Sequence, residues 1–359
     1  MTKLTRADLD ALPTYLPGRN PADVARELGL AEAIKLASNE VPYGPLPGVV
    51  EAVAEAVAGV HRYPDMGVVA LREALARRHD IPADRIATGC GSVALCEHLA
   101  RATCLPGDEI VYSWRSFEAY PIIAAITGVT SVRVPNTADH GHDLSAMADA
   151  ITDRTRVVIV CNPNNPTGTS IRRADLDRFL DAVPDDVVVV IDEAYREFVT
   201  DAEVPDAVRT YRDRPNVVVL RTLSKAWGLA GLRVGFMVAQ PEVAATVRKV
   251  ITPFSTNTAA QAGALAALAQ EDEVRRRCAL VTAERDRLTE SVRKLGVDVP
   301  DSQANFIWLP LGDGAAAFGT ACESRGVIVR PFQGDGVRVT VGTPQENDAF
   351  LTAAESALP

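Results

Sequence analysis

The sequence predicts an α/β fold, with a mostly parallel sheet between helices in a large domain and a smaller α+β domain after it. Two observations carry this. Short β-branched runs alternate with helix-forming stretches between residues 85 and 240, as in sheets whose strands are joined by crossover helices. The runs are also continuously apolar, as expected of strands covered on both faces. In order, the strand candidates are 86–87 (Ile-Ala), 110–112 (Ile-Val-Tyr), 157–160 (Val-Val-Ile-Val), 187–191 (Val-Val-Val-Val-Ile), 217–220 (Val-Val-Val-Leu) and 234–238 (Val-Gly-Phe-Met-Val). Residues 174–182 read as one of the intervening helices. The last hundred residues differ. An Ala-rich stretch at 259–269 reads as a buried helix near an interface, and a long helical pattern covers 270–295. Strands are expected at 305–309, 327–330 and 337–341.

Composition narrows the function. A net charge of −10 and a pI near 5.1 argue against a nucleic-acid binder. The one basic run, Arg275-Arg276-Arg277, lies in a charge-mixed helical stretch and reads as a solvated face. The apolar runs are too short to span a bilayer, and MTKLTRADLD has no signal-peptide core, so no membrane role and a cytoplasmic location are expected. Cys90, Cys96, Cys104, Cys161, Cys278 and Cys322 form no C-x-x-C pair and no metal spacing, and no metal is expected.

Among 37 basic residues only Lys3, Lys35, Lys225, Lys249 and Lys294 are lysines. Lys225 sits in Ser224-Lys225-Ala226-Trp227-Gly228-Leu229-Ala230-Gly231-Leu232-Arg233-Val234-Gly235, a glycine-spaced stretch with almost no other charge. An amine can lose its proton where a guanidinium cannot, and Schiff-base chemistry needs such an amine. Ligands of open α/β sheets bind at the carboxyl ends of the strands, so the residues after each run are informative. Asn162-Pro163-Asn164-Asn165-Pro166-Thr167-Gly168 follows one run, and a polar turn and a binding loop are equally good readings. Asp192-Glu193-Ala194-Tyr195 follows the next, where a helix cap is the simpler reading of Asp192. Thr88-Gly89-Cys90-Gly91-Ser92 precedes a helical stretch and can bare N–H groups to an anion. Neither G-x-G-x-x-G nor G-x-x-x-x-G-K-[ST] occurs, which removes the main support for dinucleotide and P-loop chemistry. Together the strand ends offer an amide, a carboxylate with a phenol, and a hydroxyl with an amine, the set that a pyridine aldehyde cofactor requires.

With these motifs assembled, the chain resembles the fold-type I pyridoxal-phosphate-dependent aminotransferases. It is most similar to the histidinol-phosphate aminotransferases and, within that group, to the aromatic-amino-acid (phenylalanine) aminotransferases. Tyr15-Leu16-Pro17-Gly18, Ala37-Ser38-Asn39-Glu40, Arg62-Tyr63-Pro64-Asp65 and Gly336-Val337-Arg338-Val339 extend the likeness over nearly the whole chain. The resemblance implies an N-terminal arm over 1–34 that also contributes to the small domain, a cofactor-binding domain over 35–255 and a small domain over 256–359. It implies that Lys225 holds the cofactor as a Schiff base and moves the proton, and that Asp192 pairs with the pyridine nitrogen. Tyr195 and Asn165 would bond the ring oxygen and Phe117 would stack on the ring, with Trp114 the weaker candidate. Ser92, the Val93 N–H, Ser224 and Arg233 would hold the phosphate, and Tyr63 would reach the phosphate of the other subunit in a homodimer. Arg338 would take the substrate carboxylate, Asn39 and Tyr15 would line the pocket, and Arg330 would contact a substrate acid group.

The turn Gly91-Ser92-Val93-Ala94-Leu95 lacks the acidic pair usual in histidinol-phosphate enzymes, and Trp114-Arg115-Ser116-Phe117-Glu118-Ala119-Tyr120-Pro121 resembles the aromatic group. The expected reaction is therefore transamination of phenylalanine, tyrosine or tryptophan with a 2-oxo acid such as 2-oxoglutarate, in a ping-pong cycle. Tyr15, Tyr43, Trp114 and Phe332 are the expected walls of an apolar side-chain pocket. Histidinol-phosphate transamination is the alternative, and amino-acid decarboxylation on the same fold is a reading from another class.

Overall fold

A computed structural model describes residues 4–6, 9–10, 12 and 18–358. Its main sheet has seven strands: β1 (Ile86–Gly89), β2 (Glu109–Trp114), β3 (Thr130–Pro135), β4 (Thr155–Cys161), β5 (Val188–Asp192), β6 (Val217–Thr222) and β7 (Gly235–Val238). Their order is β1-β7-β6-β5-β4-β2-β3. The central strands are Val/Ile-rich and fully buried on both faces, Val158, Val189, Val190 and Ile191 among them, which is why they carry no alternation. Strand β3 was not among the expected strands. It is an edge strand in which only Val134 is buried, and it lacks the continuous apolar run that marks its neighbours.

Six strands are parallel, and β7 runs antiparallel to both β6 and β1. This reversal positions chemistry. The chain leaves the carboxyl end of β6 at Thr222 and re-enters the same sheet edge at Gly235, paired with Thr222 on one side and Gly89 on the other. Everything between, including Lys225 and Arg233, therefore stays at the edge where β4 and β5 end.

A three-stranded antiparallel sheet is built from β8 (Phe306–Leu309), β10 (Arg330–Phe332) and β11 (Gly336–Thr340), in the order β10-β11-β8. The expected strand at 327–330 is interrupted: β9 (Val327–Ile328) instead pairs in parallel with Ile34–Lys35. The helix Glu271–Lys294 has Glu271, Asp272 and Glu273 in its first turn and Arg293 and Lys294 in its last, the charge order that suits the helix dipole. Arg275 and Arg276 are exposed and paired with Asp272 and Glu273 of that helix, a solvated face as expected, whereas Arg277 is half-buried, pairs with Glu273 and donates to the Gly44 carbonyl. The Ala-rich helix Thr258–Leu268 packs inside the chain against the helix Val49–Val57. A Cβ on Gly263 would lie 2.5 Å from Leu232, so the small residue lets this helix press on the loop carrying Lys225 and Arg233. Among the described residues no helix is long and apolar enough to cross a membrane.

Candidate active site

A cavity of about 520 Å³ opens at the carboxyl edge of β4–β6, with Arg330 and Arg338 of the smaller sheet on one wall. Ser92, Val93, Phe117, Asn165, Asp192 and Tyr195 line it, as do Ser224, Lys225, Arg233 and Asn39. Twelve expected positions, spread over three hundred residues of sequence, thus face one space.

Lys225 stands just beyond β6, its Nζ donating to the Ser38 carbonyl at 3.0 Å and lying 5.9 Å from the Tyr195 ring centre. Burial lowers its pKa to about 7, and the positive charges of Arg338 and Arg233 act in the same direction. A sizeable fraction of the amine is therefore neutral at physiological pH. Because the neutral form is the nucleophile, capture of an aldehyde such as pyridoxal by the cofactor-free protein should speed up as pH rises. The expected rise is about tenfold per unit below pH 7, levelling above it. Absorbance after rapid mixing measures this, and a rate still climbing unchanged past pH 9 would refute the lowered pKa.

Asp192 closes β5 and is buried. Its Oδ2 accepts from the Tyr120 hydroxyl at 2.8 Å and its Oδ1 from the Ala194 N–H at 3.2 Å. The Ala194 bond closes a local turn and is not a helix cap, since the short helix Arg196–Phe198 begins after Tyr195; Asp192 instead lines the cavity. Burial raises this carboxyl to about 6, against the lowering effect of the two donors. A cationic ring nitrogen is the kind of group that would restore its charge.

At the opposite end, β1 delivers the chain to the N-terminus of the helix Gly91–Thr103, where first-turn N–H groups have no intrahelical acceptor. Arg233 adopts the left-handed conformation (φ 57°) and donates to the Ser224 hydroxyl at 3.2 Å and the Ala230 carbonyl at 3.1 Å. A Cβ on Gly91 would come within 2.6 Å of the Arg233 guanidinium, and one on Gly235 within 2.5 Å of the Ser92 nitrogen. Both glycines are what allow a guanidinium, a helix N-terminus and two hydroxyls to converge, an arrangement suited to a phosphate.

The Asn162 to Gly168 loop divides its work. Asn162 exchanges hydrogen bonds with the backbone of Ile171. Asn164 bonds Arg115 O, Thr167 and Ser116. Both staple the loop, and only Asn165 reaches the cavity, where its Oδ1 accepts from Arg338 at 2.6 Å. Arg338 also donates to the Ala37 carbonyl at 2.6 Å. Despite alternating with two apolar strand residues, it is buried in the site rather than solvent-facing. Asn39 (φ 57°) donates to the Tyr195 hydroxyl at 2.9 Å and is itself held by Thr340 and Asn305. The Tyr195 pKa is raised by burial.

Three expectations are corrected. Trp114 is clamped between the Arg115 and Arg133 guanidiniums, Tyr43 lies under Arg277, and Phe332 is buried beneath Arg115, Arg330 and Arg338. Cation–π packing occupies these rings, and none borders the cavity, whose apolar lining includes Val93, Phe117, Ala119 and Ile122. Tyr63 is also outside it: 82% exposed, its ring stacked on Phe254 at 4.5 Å. Tyr15 lies outside the described residues. Tyr120 and Glu118, which the sequence offers only within the Trp114 to Pro121 motif, contact Asp192 and Arg330. Tyr120 had a signal, since a tyrosine inside the apolar helix Ala119–Thr127 needs a partner for its hydroxyl once buried.

Comparison with known proteins agrees with this geometry. The family described as "Aminotransferase class I and II" matches residues 31–353. The aromatic amino acid aminotransferase of Streptomyces avermitilis is 56% identical over 98% of this chain and 96% of that protein. The one from Streptomyces coelicolor is 57% identical with the same coverage. A crystal structure of histidinol-phosphate aminotransferase from Sinorhizobium meliloti in complex with pyridoxal-5'-phosphate superposes with a TM-score of 0.90 at 27% identity, over 100% of this chain and 98% of that one. With an amine, a buried acid and an anion cradle gathered at one sheet edge, and a family match over nine-tenths of its length, this chain belongs to the class I and II aminotransferases.

Proposed function

We propose that the protein transfers the amino group of aromatic amino acids to a 2-oxo acid such as 2-oxoglutarate, in a ping-pong cycle that uses pyridoxal 5'-phosphate. The observation that carries the cofactor is the cavity's polarity along its length. A cationic cradle at Ser92 and Arg233, the Lys225 amine and the isolated Asp192 carboxylate face one space. That set fits a phosphate, an aldehyde and a pyridine nitrogen. The aromatic assignment is supported by the names of relatives more than half identical over nearly the full length.

When bound, the cofactor supplies an aldehyde that condenses with amines and a ring that withdraws electrons from the substrate Cα. Ser92, Ser224, Arg233 and the N–H groups at Val93 would hold its phosphate, and Phe117 would cover the ring. Asn165 and Tyr195 would bond the ring oxygen. Asp192 would keep the ring nitrogen protonated through a charge-assisted hydrogen bond. Arg338, already oriented by Asn165 and Ala37, would fix the substrate carboxylate. Lys225 Nζ, half neutral near pH 7, would take the proton from the substrate Cα. Exposed apolar side chains at Tyr63, Met66 and Phe254 support a homodimer in which Tyr63 completes the phosphate site of the second copy.

Adding phenylalanine to the pyridoxal-phosphate-loaded protein should bleach its visible absorbance within one turnover, with histidinol phosphate much slower. Faster bleaching with histidinol phosphate would favour the second reading, which the Sinorhizobium meliloti likeness supports. A protein that takes up no cofactor would refute both.

A further inference from the structure

Arg330 and Arg338 are direct cross-strand partners on β10 and β11. Side chains opposite one another in an antiparallel pair stand about 5 Å apart at Cβ, and like charges there repel. Both guanidiniums lie over the Phe332 ring, at 5.4 and 5.8 Å, and both line the cavity. They are held differently. Arg338 donates to the neutral oxygens of Asn165 and Ala37, which aim the guanidinium. Arg330 donates to the Glu118 carboxylate at 2.8 Å, with side-chain exposures of 14% and 30%. Glu118 lies between Phe117 and Ala119, which belong to the apolar lining.

We propose that Glu118 is a specificity-determining residue: its carboxylate competes with acidic substrate side chains for Arg330, which keeps the side-chain end of the cavity electrically neutral. This rests on the aminotransferase reading above, in which Arg338 takes the α-carboxylate. Arg330, the cross-strand neighbour of Arg338 in the same cavity, is then within reach of the substrate side chain. A neutral aromatic side chain leaves the Arg330–Glu118 pair in place and packs on Phe117, Ala119 and Ile122. A dicarboxylate or a phosphorylated side chain can reach Arg330 only by sharing it with Glu118 or displacing it, and in either case meets the Glu118 carboxylate. Acidic compounds therefore bind at a cost that aromatic ones do not meet, and the same cost sets the concentration at which 2-oxoglutarate saturates.

The test uses holoenzyme and Glu118→Gln, which keeps the shape and a hydrogen-bonding oxygen but removes the charge. Two unreactive acids, glutarate and 3-phenylpropionate, are titrated by calorimetry, and single-turnover bleaching is followed with phenylalanine and glutamate. Removing the competing charge should tighten glutarate and lower the half-saturating glutamate concentration by about tenfold, equivalent to ~1.4 kcal/mol. Values for 3-phenylpropionate and phenylalanine should stay within about threefold. The gain must disappear in Glu118→Gln/Arg330→Gln, because the two residues act through one contact. Equal changes for acidic and neutral ligands, or a gain that survives loss of Arg330, would overturn the role of Glu118. If Glu118→Gln does not fold, Glu118→Ala, which also removes the charge, decides in its place: glutarate tightening by about tenfold supports the inference, and an unchanged glutarate affinity would overturn it. Wild-type holoenzyme that reacts with glutamate but not with phenylalanine would instead refute the aromatic reading itself, whatever the variants do.

Discussion

Lys225→Ala is expected to lower the rate of amino-group exchange by at least about 10,000-fold, the upper range for removing a positioned proton-transfer group. The argument rests on position and acidity together. Lys225 is the lysine in the cavity, and burial beside Arg338 and Arg233 brings its pKa to about 7. The variant should still fold, because the lysine side chain contributes one hydrogen bond, to the Ser38 carbonyl. It should also retain some pyridoxal phosphate, since the cradle of Ser92, Ser224 and Arg233 is untouched. Lys225→Arg sharpens the test. A guanidinium keeps the positive charge but not the ability to lose it at neutral pH, so this variant should be as inactive as the alanine one. Single-turnover absorbance with phenylalanine reads both, and activity in either within tenfold of wild type would exclude Lys225 as the reacting amine.

Asp192→Asn should lower the single-turnover rate by about 100- to 1,000-fold, the range for losing one preorganised electrostatic group. The substitution is nearly isosteric: the Ala194 N–H can still donate to the remaining carbonyl oxygen, while the amide NH2 takes the place of Oδ2 and can donate to the Tyr120 hydroxyl oxygen. What it removes is the charge. Burial already raises the Asp192 carboxyl to about 6, so an uncompensated carboxylate there is costly and asparagine should raise thermal stability of the cofactor-free protein above pH 6. The sign follows from the raised pKa: the folded state binds the proton more tightly than the unfolded chain, so the penalty appears as pH rises through 4 to 6 and is absent at lower pH. The variant would thus gain stability while losing rate. Stability and rate falling together would point to a structural role instead.

The chemistry of the site was legible because it is local. An amine among arginines, an acid ending an apolar strand and glycines ahead of a helix each announce themselves within a few residues. Arg338 is less legible, because an arginine alternating with Val337 and Val339 also fits a solvent-facing strand position, and only the packing of the smaller sheet buries it against Asn165. The expected aromatic walls failed for a related reason. Trp114, Tyr43 and Phe332 are suitable residues, but in this arginine-rich chain guanidiniums have stacked on them, and composition does not say which ring receives which cation. The edge strand β3 escaped because partial exposure replaces its apolar run with a mixed one.

By itself the sequence determined the α/β class, the buried central strands and the lysine that faces the cavity, since apolar runs and side-chain chemistry are properties of short segments. The tertiary structure alone decided that β7 runs backwards, so that Lys225, Arg233 and Asp192 share one edge. It also decided that Tyr120 supports Asp192 and that Glu118 takes Arg330 from more than two hundred residues away. Such pairings depend on which elements the hydrophobic core brings into contact, and their energies arise only once burial has removed the water that would otherwise satisfy each group alone.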